Sequence, residues 1–336
     1  MKISKISLLL ALALGVGFAS SCKEEEESVK LSFTGTLSFT LPTYARVGDV
    51  FYITPNVENI SRSDGGDIGY FWRFSPGYIQ NDTVKFEGSS KMDVWKFEVP
   101  DTLCTVTVTC TAYADGYYNS QGSQTITVVS DTKSISGVEY KEGQSSFVDL
   151  RDSKKYSFTT IGTTDWMSTN LAYEGVGNSF LNCSAVDNIF GKFYTYSEAL
   201  DACPDGWTLP SEEDWKVLAE ALGSSIEEDL VIPGIAGSLM VDASFNRAKL
   251  WDYWPQVKIT NTSGLGVMPT GYCMPNSSSA TFGGFGKYAA FWTATPSGEG
   301  NNAMYRYIYQ DKPDVFASQG DRDGLSLSVR CIRKYL

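Results

Sequence analysis

The sequence predicts two folded units in series, an all-β sandwich followed by an α+β domain. Three observations lead there. The chain has 336 residues, more than one ordinary core uses and a comfortable length for two domains. With 19 Tyr, 18 Phe and 31 Gly, its composition favours strands joined by tight turns. Helix-start signals, Thr195 with Glu198 and Ser211 with Asp214, stand in the second half, each pairing a cap residue with an acid three places on.

Charge and residue counts exclude several classes of function. A formal net charge of −12 would repel a phosphate backbone, so nucleic acid is not expected as a partner. The chain has no histidine, which removes Ser-His-Asp and Cys-His nucleophile systems and histidine-ligated zinc or iron. Neither a metal nor another cofactor is expected. Carboxylates, Tyr, Lys and Cys remain chemically available.

The N-terminus reads as an address. Residues 1–21 carry Lys2 and Lys5, then an apolar run from Ile6 to Phe18, then small residues. That is the plan of a secretory signal, and the run is short for a membrane span. Ala19-Ser-Ser-Cys22 resembles the lipobox of bacterial lipoproteins, in which Cys22 is lipidated. Lys23 followed by Glu24 to Glu27 is similar to the acidic export signal of Bacteroidota lipoproteins. The resemblance implies an outer-membrane location facing the exterior, with residues 22–30 as a tether. A solvated tether is also what four glutamates give without any signal.

Residues 31–130 contain alternating runs separated by turn residues: Leu37 to Leu41, Val50 to Val57, Ile68 to Phe74, Trp95 to Val99, Cys104 to Ala112 and Thr125 to Val129. Such spacing predicts a sandwich of antiparallel strands. Tyr70-Phe-Trp-Arg-Phe-Ser-Pro-Gly77 and Thr105 to Thr109 followed by Ala114-Asp-Gly116 resemble PKD-type immunoglobulin-like (Ig-like) domains. Trp72 is then a core residue between two sheets. Cys104 and Cys110 would stand roughly 20 Å apart along a regular strand. They are expected as buried thiols rather than as a bridge.

Residues 131–145 are polar and aperiodic and read as a linker. Beyond them, Phe147 to Leu150 and Tyr156 to Ile161 predict a hairpin. Thr195 opens a short helix ending at Cys203. Pro204 and Gly206 then break the chain, Trp207-Thr-Leu209 predicts a short strand, and Ser211 caps a helix with Trp215, Leu218, Ala219 and Leu222 on one face. Gly223 is placed to stop it.

Trp166-Met-x-x-Asn-Leu171, Gly191-Lys-Phe-Tyr-Thr195, Ala202-Cys-Pro-Asp-Gly-Trp-Thr-Leu-Pro-Ser211, Trp215, Phe291 to Thr295 and Ser328 to Arg333 occur in order. On these motifs residues 146–336 resemble the Fibrobacter succinogenes major paralogous (FISUMP) domain. The resemblance implies a C-type-lectin-like fold: two helices, a twisted sheet and long loops. It also implies a bridge between Cys203 and Cys331, against the alternative of two reduced core cysteines; Cys183 with Cys273 is a further pairing left open. Leu209 to Trp215 is also similar to sulfatase-modifying domains. Those need a cysteine pair near the C-terminus, whereas Cys273 and Cys331 stand in unrelated contexts.

The candidate binding surface lies after the second helix. Trp251, Asp252, Tyr253 and Trp254 put three aromatics beside a carboxylate, and Tyr272 and the glycine-rich Phe282 to Tyr288 follow. Sugar sites combine flat aromatics with polar neighbours, because sugar C–H faces are apolar and the hydroxyls need bonds. The alternative is that Trp251 and Trp254 anchor a loop to the core. Trp166, Trp207, Trp215 and Trp292 are expected in the core. Met274-Pro-Asn276 lacks the carboxylate of a calcium-dependent sugar motif. The expectation is a non-enzymatic surface module that binds a glycan or a protein, with Cys22 in the membrane. Alternatives are a structural component of an envelope assembly and an enzyme using cysteine or carboxylates.

Overall fold

A computed structural model of the chain describes residues 29–75, 82–85, 94–138, 145–226, 230–251, 257–276, 280–298 and 300–335. Residues 1–21, expected to be a signal, Cys22 and the glutamate run after it lie outside the described residues, as do Pro76 and Gly77. No helix among the described residues is long and apolar enough to cross a membrane.

The first unit has strands β1 (Tyr44–Arg46), β2 (Val50–Ile53), β3 (Gly69–Ser75), β4 (Asp82–Lys85), β5 (Trp95–Glu98), β6 (Thr105–Tyr113) and β7 (Ser120–Val129). The larger sheet has the order β1-β7-β6-β3-β4, with β1 parallel to β7 and the other pairs antiparallel. β2 and β5 form a separate antiparallel pair. Alternation in β3 buries Tyr70, Trp72 and Phe74, the period-2 pattern of a strand with one inward face. Trp72 stacks on Trp95 with ring centroids 5.4 Å apart, so the two sheets share one core.

Two readings of this unit change. Leu37 to Leu41 forms no ladder, although Leu37 and Phe39 are buried. The Gln124 side chain holds this segment instead, donating to the Phe39 carbonyl and accepting from the Leu41 N–H. Cys104 precedes β6 and is half-buried, while Cys110 is fully buried opposite Trp72. Neither is bonded, and burial pushes the Cys110 thiol up to about 12.

The expected linker is partly built into the second unit. Ile135–Ser136 pairs with Ser244–Phe245, which pairs in turn with Ala248–Lys249. Backbone groups alone can add such a strand, so side-chain periodicity gives no warning of it. Asn246 and Arg247 close this hairpin with φ of 46° and 71°, the left-handed pair of a type I′ turn. Tyr44 of β1 packs edge-on against Phe245, ring centroids 5.7 Å apart. The Cys183 thiol donates to the Tyr44 carbonyl at 2.9 Å.

The second unit opens with β8 (Ser145–Val148), β9 (Lys155–Ile161) and β10 (Thr164–Met167). Helices α1 (Tyr196–Ala202) and α2 (Glu212–Ala221) follow, then β11 (Tyr272–Met274), β12 (Thr281–Gly283), β13 (Tyr288–Pro296), β14 (Asn302–Tyr309), β15 (Phe316–Asp321) and β16 (Ile332–Lys334). The last strand returns to complete the first sheet, β8-β9-β10-β16, and β13-β14-β15 form a second. Both capping boxes are made, Thr195 with Glu198 and Ser211 with Asp214. Trp207 to Leu209 is less than a strand: Thr208 makes one bridge to Ile332, and Pro210 has no N–H to extend it. Trp207 is buried and stacks on Phe147 at 4.4 Å.

Cys203, at the end of α1, is bonded to Cys331, the residue before β16, across 128 positions. Closing so long a loop is worth about 5 kcal/mol in the chain-entropy description. Cys183 and Cys273 are buried and unbonded.

Candidate functional site

The site is built outward from β14. Met304, Arg306 and Ile308 point inward and are buried, so Tyr305, Tyr307 and Tyr309 share the opposite face. Arg306 tolerates burial because Glu212, at the start of α2, receives its guanidinium, and the Leu230 carbonyl accepts from it as well. The register places Tyr288 of β13 opposite Tyr309, with centroids 5.0 Å apart. Tyr307 stacks on Phe316 at 5.3 Å. The result is a sheet face paved with phenol rings.

β11 closes this face into a groove. Tyr272 stands edge-on to Tyr288, centroids 5.9 Å apart, and pairs in register with Gly283. A Cβ at Gly283 would lie 2.7 Å from the Tyr272 ring, so only glycine lets the ring sit there. Tyr305, Tyr309, Lys287, Leu325 and Leu327 complete the lining of a groove of about 470 Å³. That volume falls within the roughly 300–1,000 Å³ of small-ligand sites. Tyr288 forms its buried base; burial first, then the neighbouring phenols of Tyr305, Tyr309 and Tyr307, hold its hydroxyl protonated. Neither the Tyr272 nor the Tyr309 hydroxyl is hydrogen-bonded to any described residue. A second cleft of similar volume, about 480 Å³, runs along Arg46, Asp101 and residues 129–133. It has no aromatic side chain, and its Arg46 already faces Asp131 at 3.5 Å.

A family model described as the Fibrobacter succinogenes major domain matches residues 159–333, just over half of the chain. The chain belongs to that family. No curated protein and no solved structure matches it. Every residue of the tyrosine groove lies inside the matched segment, so the groove belongs to that domain of this chain.

The residues expected at a binding surface separate within this domain. Tyr272 and Tyr288 line the groove. Trp251 does not: it is buried in the core with Leu239, Met240 and Val267, and its indole N–H donates to the Val267 carbonyl at 3.1 Å. A large ring whose one polar atom has a backbone partner gains most by full burial. Asp252, Tyr253 and Trp254 lie outside the described residues. The glycine-rich stretch divides as well. Gly283 and Gly284 serve the groove, whereas Phe282 and Phe285 pack on Phe180 at 5.7 and 4.7 Å, in the cluster at the junction of the two units.

Sequence reasoning missed Tyr305 and Tyr309. The signal was there in Met304-Tyr-Arg-Tyr-Ile-Tyr309, which alternates strictly. Arg306 hides it, because an arginine at an inward position reads as solvent-facing until Glu212 is known to meet it. Of the late cysteines, Cys331 is tied to Cys203, and the fully buried Cys273 thiol is pushed up to about 11, by burial first and then by the charge of Glu198. Among the described residues no cluster of three or more Cys, Asp or Glu could hold a metal ion.

Proposed function

We propose that the chain is a surface-displayed, lipid-anchored binding protein whose C-type-lectin-like head recognises a glycan in the tyrosine groove. The Ig-like sandwich holds that head away from the outer membrane, to which Cys22 is fixed. The groove is the observation that supports the reading most. Flat phenol rings offer an apolar surface to sugar C–H faces, and the free hydroxyls of Tyr272 and Tyr309 offer hydrogen bonds at the rim. The order of the five-stranded sheet, with its first strand parallel to its last, is the arrangement expected of an Ig-like domain. The Cys203–Cys331 bond between the first long helix and the last strand suits a C-type-lectin-like head. The enzymatic alternative has lost its two late cysteine nucleophiles, one to a disulfide and one to burial.

The test is a glycan array on the purified full chain, followed by titration of any hit against Tyr309→Ala and Tyr272→Ala. Tyr309 is 44% exposed, so its loss should weaken binding at least tenfold while leaving the melting temperature almost unchanged. A reproducible glycan ligand whose affinity ignores both substitutions would move the site elsewhere.

A further inference from the structure

We infer that the groove selects an acidic sugar, with the carboxylate of a uronic-acid residue on the Lys287 ammonium and the ring face of that residue or its neighbour on Tyr309. The inference rests on the glycan reading of the same groove. Lys287 is the one charged residue in the lining. It is exposed and makes no ion pair with any described residue. On a chain of net charge −12, an unpaired ammonium in the lining of a groove of phenol rings is a local reversal of sign, and low-dielectric walls strengthen its field. The remaining lining residues, tyrosines, leucines and Gly284, carry no formal charge.

The backbone presents this ammonium from a fixed position. Lys287 N–H donates to the Gly284 carbonyl at 3.1 Å, Tyr288 N–H donates to the same carbonyl at 2.9 Å, and Gln310 N–H donates to the Lys287 carbonyl at 3.0 Å. The turn is therefore pinned both to itself and to the end of β14. A ligand reaching it loses little to ordering of the main chain. Lysine rather than arginine at this place offers a compact point charge, suited to one carboxylate beside a stacked ring.

A matched pair of ligands isolates the charge. Trigalacturonic acid and its fully methyl-esterified counterpart share the same rings and differ by their carboxylates. Isothermal titration of the full chain at low ionic strength should give at least fivefold tighter binding of the acid. The preference should shrink at high salt, because exposed charges are screened within about 8 Å at physiological ionic strength. Lys287→Gln should abolish the preference by weakening the acid far more than the ester; its backbone bonds do not involve the side chain, so folding is preserved. Tyr309→Ala should weaken both ligands alike. Equal affinity for acid and ester, or a preference that survives Lys287→Gln, overturns the inference and leaves the glycan reading standing. Failure of both ligands together with a blank glycan array removes the glycan reading itself. Capture of a proline-rich peptide that Tyr309→Ala abolishes would assign the groove to a protein partner and overturn the inference.

Discussion

Arg330 is buried in the domain and has no carboxylate partner among the described residues; its guanidinium donates to Asn170 Oδ1 at 2.6 Å and to the carbonyls of Met167, Leu265 and Gly266. Burial works against its charge, and these acceptors compensate by converging on one planar fork. Replacing it with Met leaves them without a donor. Arg330→Met should cost about 3–5 kcal/mol, read as a shift of the urea midpoint, and Arg330→Lys should recover little because an ammonium cannot span the same acceptors. Asp187 is the opposite case, a buried carboxyl with one oxygen bonded to Ser179 and the other unpartnered. Burial raises it to about 6 despite Ser179 and Lys192. Because its folded value stands above its unfolded one, its contribution is full below about pH 4 and is lost as pH rises through 6. No histidine titrates in that window. Stability should therefore fall by about 1 kcal/mol between pH 5 and 7, and Asp187→Asn should flatten that slope in denaturation curves taken at each pH. Asp165 behaves conversely: burial would raise it, but Tyr335, Thr160 and Arg333 outweigh burial and hold it low. Its stabilisation is present at neutral pH and is lost only in stronger acid.

At the scale of elements, the parts written in local chemistry were legible and the parts written in long-range contact were not. Both helix starts were readable because a capping box is a four-residue device. The hairpin at Phe147 and the core positions of Trp72, Trp166, Trp207, Trp215 and Trp292 were readable from alternation and size. The strand at Ile135 was not, since its partner lies more than a hundred residues away. Nor was Leu37 to Leu41, where the Gln124 side chain replaces a ladder. The tyrosine groove was half legible: Tyr272 and Tyr288 stood near glycines, while Tyr305 and Tyr309 sat behind an arginine whose partner is 94 residues distant. The hairpin that receives Ile135 yields a further prediction. Arg247 is exposed and held at φ of 71° without being glycine. Arg247→Gly should stabilise the chain by about 0.5–1 kcal/mol, measurable as a raised melting temperature.

At the scale of the whole molecule, the question is whether the two units move independently. A polar linker would allow it, but here Ile135–Ser136 of the connecting segment pairs into the second unit, and the junction has an apolar core. Tyr44 and Val129 of the first unit pack in one cluster with Phe180, Phe190 and Phe245 of the second. Arg46 adds a hydrogen bond to the Ser184 carbonyl, and Asp131 accepts from Asn188 at 2.7 Å. A buried aromatic junction of this kind couples the two cores, so unfolding one exposes apolar surface on the other. Calorimetry on the full chain should give a single transition. Tyr44→Ala removes the ring that touches both Phe180 and Phe245 while sitting on the edge strand of its own sheet. It should split the transition in two, with the second unit retaining its Cys203–Cys331 bond and melting at the higher temperature. Two transitions in the unmodified chain would mean that the junction does not couple the units. A single transition means that the two cores unfold together through the junction of Tyr44, Phe180 and Phe245.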